Sequence, residues 1–155
     1  MELAELYDRF ARQLYAHALT LTGQAADAED VLQTVFARVA GRARSRRCVN
    51  DPEAYLHAAV RRESLRSIRR RRRFAEPPPD DLLVPFNGAR PEDAEAVSRA
   101  LARLPGEQRE VVVLHVWEGM TFRRVGEILG VPTDTAASRY RYARAKLKEL
   151  LREPR

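Results

Sequence analysis

RRVGEILGVPTDTAASRYRYARAKLKELL, residues 123–151, is the stretch that decides the fold. A short apolar-patterned segment stops at Gly130, turns through Val131 and Pro132, and restarts as a long segment dense in arginine and tyrosine. Two helices meeting so tightly have helix-turn-helix spacing. The turn needs a residue that tolerates positive φ, and Gly130 supplies it. Gly126 is small where the second helix must approach closely, and Val125, Leu129, Val131 and Ala136 fill the wedge between the two. Thr133 is expected to cap the second helix. Along that helix Ala136, Tyr140, Ala143, Leu147 and Leu150 recur at intervals of four and three, which predicts one buried stripe. Thr135, Ser138, Arg139, Arg141, Tyr142, Lys146 and Lys148 then face outward. A DNA-reading helix needs this arrangement, with early residues at base edges and later cations at phosphates. The plainer alternative is a solvated face on an ordinary bundle helix.

Working outward, the 155 residues suit one ordinary domain or two small ones. Lys and Arg number 28 against 22 Asp and Glu, a net charge of +6. That balance favours a polyanionic partner, either nucleic acid or an anionic membrane surface. Cys48 is the single cysteine, so no internal disulfide can form and a reducing, cytoplasmic setting is expected. No apolar run approaches the ~20 residues that span a bilayer, and MELAELYDRF is not a signal peptide. His17, His57 and His115 stand isolated along the chain and are expected to be half-buried helix residues rather than ligands. Cys48 has no histidine at ligand spacing. Without a Gly-rich phosphate loop or a nucleophile–base motif, no metal, cofactor or enzymatic activity is expected. Trp117 and Met120 read as core.

The composition changes in the middle. FAEPPPDDLLVPFNGAR, residues 74–90, holds four prolines, a glycine and the adjacent acids Asp80 and Asp81. Pro77, Pro78 and Pro79 exclude helix, so this segment is expected to be an extended linker of up to roughly 50 Å. It separates a domain over residues 1–73 from one over 91–155. Before it, apolar spacing predicts helices over 3–22, stopped by Gly23, and over 26–44. A third helix starts at the Asp51 cap with Pro52 in its first position. Four shorter helices follow the linker, opened by Pro91, Pro105, Thr121 and Thr133. No strand pattern competes, so the fold class is all-α.

Two N-terminal segments carry chemistry. DAEDVLQTVF, residues 27–36, places Asp27, Glu29 and Asp30 where a helix dipole favours anions, with Gln33 and Thr34 exposed beside them. Val31, Val35 and Phe36 mix core and contact roles. From the residues alone this is a well-capped amphipathic helix, with or without a basic partner groove. The third helix holds eight arginines between Arg61 and Arg73 against one acid, Glu63. It suits RNA, DNA or an anionic membrane, although its apolar face is too poor in large side chains for a membrane-surface helix.

The segment LARLPGEQREVVVLHVWEGMTFRRVGEILGVPTDTAASRYRYARAKLKELL, residues 101–151, resembles the fourth conserved region of bacterial sigma factors. LYDRFARQLYAHALTLTGQAADAEDVLQTVFARV, residues 6–39, is similar to the start of their second region. The short two-domain layout looks like the extracytoplasmic-function group. The resemblance implies a promoter-specificity subunit. Its 27–36 helix would dock on the clamp helices of the RNA polymerase largest subunit through Asp27, Glu29, Asp30, Gln33, Thr34 and Phe36. Its third helix would hold the melted minus-ten box, with Tyr55 stacking on a base where the family usually has tryptophan. Arg61, Arg62, Arg66, Arg69 and Arg70 would track the strand. Thr133, Thr135, Ser138, Arg139, Arg141, Tyr142 and Lys146 would read the minus-thirty-five box as duplex, and a separate anti-sigma protein would regulate the chain.

The sequence departs from the family at several points. Arg62 stands where asparagine is common, and Arg66 where aspartate or asparagine is frequent. The loop over 41–51 is basic, with Arg42, Arg44, Arg46 and Arg47, and lacks the usual aromatic. Ala137 replaces a frequent cation. The resemblance therefore leaves the preferred promoter bases open. The competing reading is an autonomous helix-turn-helix regulator, which ordinarily dimerises to match half-sites; no heptad seam supports that here.

Overall fold

The computed structural model describes residues 2–42, 50–74 and 91–152. They form α1 (Leu3–Thr22), α2 (Ala25–Arg42), α3 (Pro52–Arg73), α4 (Pro91–Ala102), α5 (Gly106–Val112), α6 (Phe122–Leu129) and α7 (Thr133–Arg152). A π-helical turn, Val113–Trp117, continues α5. No strand occurs among the described residues, and the all-α class expected from the sequence holds. The chain divides into two compact units, Met1–Pro79 and Asp80–Arg155. No helix among the described residues is long and apolar enough to cross a membrane. Residues 75–90 of the proline-rich segment, with Asp80 and Asp81, lie outside the described residues, as do Arg44, Arg46, Arg47 and Cys48.

In the first unit, local signals set the helix ends. Gly23 takes φ +72° and its N–H donates to the Leu19 carbonyl, which ends α1. The Asp51 carboxylate accepts from the Ala54 N–H at 3.1 Å, with Pro52 behind it, which starts α3. Phe10 and Leu14 of α1, Val31, Leu32, Val35 and Phe36 of α2, and Leu56 and Val60 of α3 close into one core. Each such large side chain stabilises the unit by about 1.5–3 kcal/mol.

The histidine expectation fails for two of the three. His17 and His57 are fully buried and face each other, Nδ1 to Nδ1 at 3.0 Å, so one ring donates and the other accepts. They join α1 to α3 across 40 residues of sequence. His115 is half-buried, as expected: it donates to the Met120 carbonyl at 2.7 Å, stacks on Phe122 and meets Tyr140 edge-on.

In the second unit Leu101, Leu104, Val112, Val113 and Ala143 form a core flanked by Val97, Trp117, Tyr140 and Leu147. Met120 is buried as expected, whereas Trp117 is only half-buried against that core. Arg109 is a buried cation that closes the end of α4. It donates to the carbonyls of Leu101 (2.9 Å), Ala102 (3.1 Å) and Leu104 (2.9 Å). The acceptors lie at and just past the end of α4, where a helix leaves carbonyls without intrahelical partners; the Leu101 carbonyl also accepts from the Leu104 N–H at 3.1 Å. Burial pushes the Arg109 pKa downward from its ordinary value.

Candidate nucleic-acid and partner interfaces

The turn between α6 and α7 is fixed by two glycines doing different things. Gly130 sits at φ +70° and donates its N–H to the Gly126 carbonyl, which also accepts from Val131 at 3.0 Å. Gly126 has ordinary helical backbone, but a Cβ there would stand 2.7 Å from the Val131 oxygen. Its role is space, not conformation. Thr121 caps α6 through the Arg124 N–H at 3.2 Å, as expected. Thr133 does not cap α7: it is the first helical residue, and the Pro132 carbonyl accepts from Thr135 (3.0 Å) and Ala136 (3.1 Å).

Along α7, Ala136 and Ala143 are fully buried, while Tyr140, Leu147 and Leu150 are half-buried, so the stripe lies as expected. Thr133, Arg141, Tyr142 and Lys146 are exposed. Thr135, Ser138 and Arg139 are half-buried rather than fully outward. Arg139 leans toward α5, its guanidinium 3.7 Å from the Glu107 carboxylate and its side chain 23% exposed. Arg141 donates to the Ser138 hydroxyl at 3.0 Å. Arg144, not among the outward residues expected from the sequence, is also exposed on this helix; its charge next to a buried alanine is the signal for it.

On α3, Tyr55 is half-buried and its hydroxyl accepts from Arg42 at 2.8 Å. Arg62, Arg66, Arg69 and Arg70 are exposed and Arg61 is half-buried. Arg71 breaks the pattern expected of the run. It turns inward, donating to the Thr22 carbonyl (3.2 Å) and Gln24 Oε1 (3.3 Å) and pairing with Asp27. Glu63, which looked like one acid lost in a basic run, is buried and meets three arginines.

On α2, Glu29, Asp30 and Gln33 are exposed and Thr34 is half-buried. Asp27 is already held by Arg71 and so does not present a free carboxylate. Phe36 is a core residue, edge-on to the Tyr7 ring at 5.1 Å, because it falls on the same stripe as Leu32 and Val35. Asp30, Gln33 and Thr34 line one wall of a groove of about 450 Å³, with Glu63 and Arg70 of α3 opposite and Phe74 also lining it.

The chain matches the family model for sigma-70 region 2 over residues 6–74 and that for sigma-70 region 4 over residues 94–147. It is 35% identical to the ECF RNA polymerase sigma factor SigM of Mycobacterium tuberculosis, over 95% of this chain and 76% of that protein. It is 34% identical to the ECF RNA polymerase sigma factor SigE of Mycolicibacterium smegmatis, over 95% of this chain and 60% of that one. Among solved structures it resembles the sigma factor RpoE of Bartonella quintana in complex with the anti-sigma factor NepR. There the TM-score is 0.78 and the identity 24%, covering 97% of this chain and 99% of that one. It also resembles CnrH in complex with the cytosolic domain of CnrY (TM-score 0.68, identity 25%, covering 96% and 86%).

Proposed function

The chain belongs to the extracytoplasmic-function sigma factors of the sigma-70 family, and from that membership we propose how its residues divide the work of promoter-selective initiation. The exposed face of α2, Asp30 and Gln33 with Glu29 and Thr34, docks on the clamp helices of the polymerase largest subunit. Tyr55 and the outward arginines of α3, Arg61, Arg62, Arg66, Arg69 and Arg70, capture the minus-ten box as a single strand. The outer face of α7, with Thr133, Thr135, Ser138, Arg139, Arg141, Tyr142 and Lys146, reads the minus-thirty-five box as duplex. The stretch between the two regions spaces them, and its acidic pair Asp80–Asp81 mimics nucleic acid on the way to the polymerase channel. Polymerisation chemistry belongs to the polymerase, and the site of action is the cytoplasm. A separate anti-sigma protein, as NepR is for the RpoE of the structural neighbour, holds the chain inactive by covering these faces.

The observation that carries this reading is the pairing of an exposed acidic-polar α2 face with a basic α3 face in one unit, beside a sterically closed helix-turn-helix in the other. A gel shift on promoter duplex, with and without core polymerase, tests it. Sequence-specific binding is expected only when polymerase is present. Tight, sequence-specific binding by the free chain would instead make it an autonomous regulator.

A further inference from the structure

Glu63 is the one acid within the arginine-dense part of α3, and its side chain is only 5% exposed. Burying a carboxylate is costly unless cations and hydrogen bonds compensate it. Here three guanidiniums do so from two helices. Arg38 of α2 donates to Oε2 at 3.1 Å, Arg66 reaches the same oxygen at 3.6 Å, and Arg70 approaches Oε1 at 3.3 Å. Their side chains stay 53%, 57% and 60% exposed. Each guanidinium carries five N–H donors in a planar fork, so one contact to Glu63 leaves most of its donors for solvent or a ligand.

We propose that Glu63 is a positioning residue, and that the three arginines it gathers, Arg38, Arg66 and Arg70, form one binding site for the sugar-phosphate backbone of a single DNA strand. The inference rests on the reading of α3 as a strand-binding helix and adds to it a residue from α2, Arg38, that no strand-binding pattern in the sequence picks out. One negative charge against three positive leaves a local excess of two, the sign a polyphosphate requires. Three unanchored arginines would repel one another and sample many rotamers. Sharing a buried carboxylate orders them before the ligand arrives, so less freedom is lost on binding. Arg38 and Arg66 share one oxygen, which brings their forks near enough for a single phosphate to engage both. Asp30 lines the same groove as Arg70 and Asp27 is paired with Arg71, whereas Arg38 and Arg66 are not among the residues lining that groove, so the anion is drawn to the Arg38–Arg66 end of the cluster.

The sign of one substitution separates positioning from simple charge. Glu63→Gln removes a negative charge, which raises the net charge of the chain by one. If the arginines acted only as a diffuse field, affinity for a single strand would rise. If Glu63 orders them, affinity falls, and we expect roughly a fivefold loss near 0.1 M salt, the effect of about one lost phosphate contact. The measurement is fluorescence-anisotropy titration of the full chain, without polymerase, against a labelled single-stranded oligodeoxynucleotide over a range of salt. Arg38→Ala is expected to lower the slope of log affinity against log salt by about 0.7. Arg12→Ala, an exposed arginine on α1, is expected to leave it unchanged.

Stronger or unaltered binding by a folded Glu63→Gln chain overturns the positioning role. An unaltered slope for Arg38→Ala overturns the three-arginine site, as does a wild-type chain that binds no single strand even at low salt. Should Glu63→Gln fail to fold by circular dichroism, Arg38→Ala decides alone, because it removes a half-exposed surface group. Weakened association of Arg38→Ala with core polymerase at an unaltered salt slope makes the cluster a protein contact and likewise overturns the proposal. Because the titration contains no polymerase, promoter selection can fail while the cluster stands, and the reverse.

Discussion

At position 126 a single methyl group decides whether α6 and α7 can meet. A Cβ there runs into the Val131 carbonyl, which is backbone and cannot swing aside, whereas position 130 has open space but left-handed backbone. Gly130→Ala should therefore cost about 1–2 kcal/mol from the positive φ alone. Gly126→Ala should cost about 1–3 kcal/mol and shift the turn as well. Urea unfolding gives the first comparison, and only the Gly126 variant should lose duplex recognition beyond its loss of stability. Arg139 makes a second prediction. If it reads a base edge, Arg139→Ala loses about 1–3 kcal/mol of discrimination at one upstream base pair. Equal weakening on every sequence would mean that its partnership with Glu107 matters more than any base. Gly130, Gly126 and Asp51 were legible in the sequence because caps and turns are local events. The His17–His57 pair was not, since each ring is explained only by a helix 40 residues away.

At the scale of elements, α2 shows how an amphipathic helix divides its labour. Asp30 and Gln33 point out, Phe36 points in, and one substitution on each face should separate docking from folding. Replacing Asp30 and Gln33 with alanine should weaken core-polymerase association by roughly tenfold with little change in stability, as read by pull-down and thermal melting. Phe36→Ala should instead destabilise the first unit by about 3–5 kcal/mol. In the sequence Phe36 carried both roles because a 3.6-residue period places it on the stripe without saying how deep the stripe goes. Arg109 is a harder case. Its context, EQREVVV, reads as the start of a helix, yet its guanidinium serves the end of the preceding one. Arg109→Met should cost about 3 kcal/mol, since three hydrogen bonds to carbonyls at and past the end of α4 are lost together. The π-turn at Val113–Trp117 was equally hidden, because nothing in VLHVW distinguishes a widened turn from an α-helical one.

For the whole molecule, the all-α class was legible because apolar spacing kept one helical period throughout and no alternation competed with it. The faces were less legible, since ion pairing is set between helices: Arg71 finds Asp27 and turns inward, while Arg38, Arg66 and Arg70 find Glu63 and stay more than half exposed. Two units with few phosphate contacts each should bind DNA weakly alone and tightly when polymerase holds both, because the second contact is then intramolecular. The direct test is run-off transcription by core polymerase plus this chain on a randomised promoter library, with transcripts sequenced. Two enriched boxes at a fixed spacing, absent with core polymerase alone, are expected. Start sites no more selective than those of core polymerase alone would contradict the account.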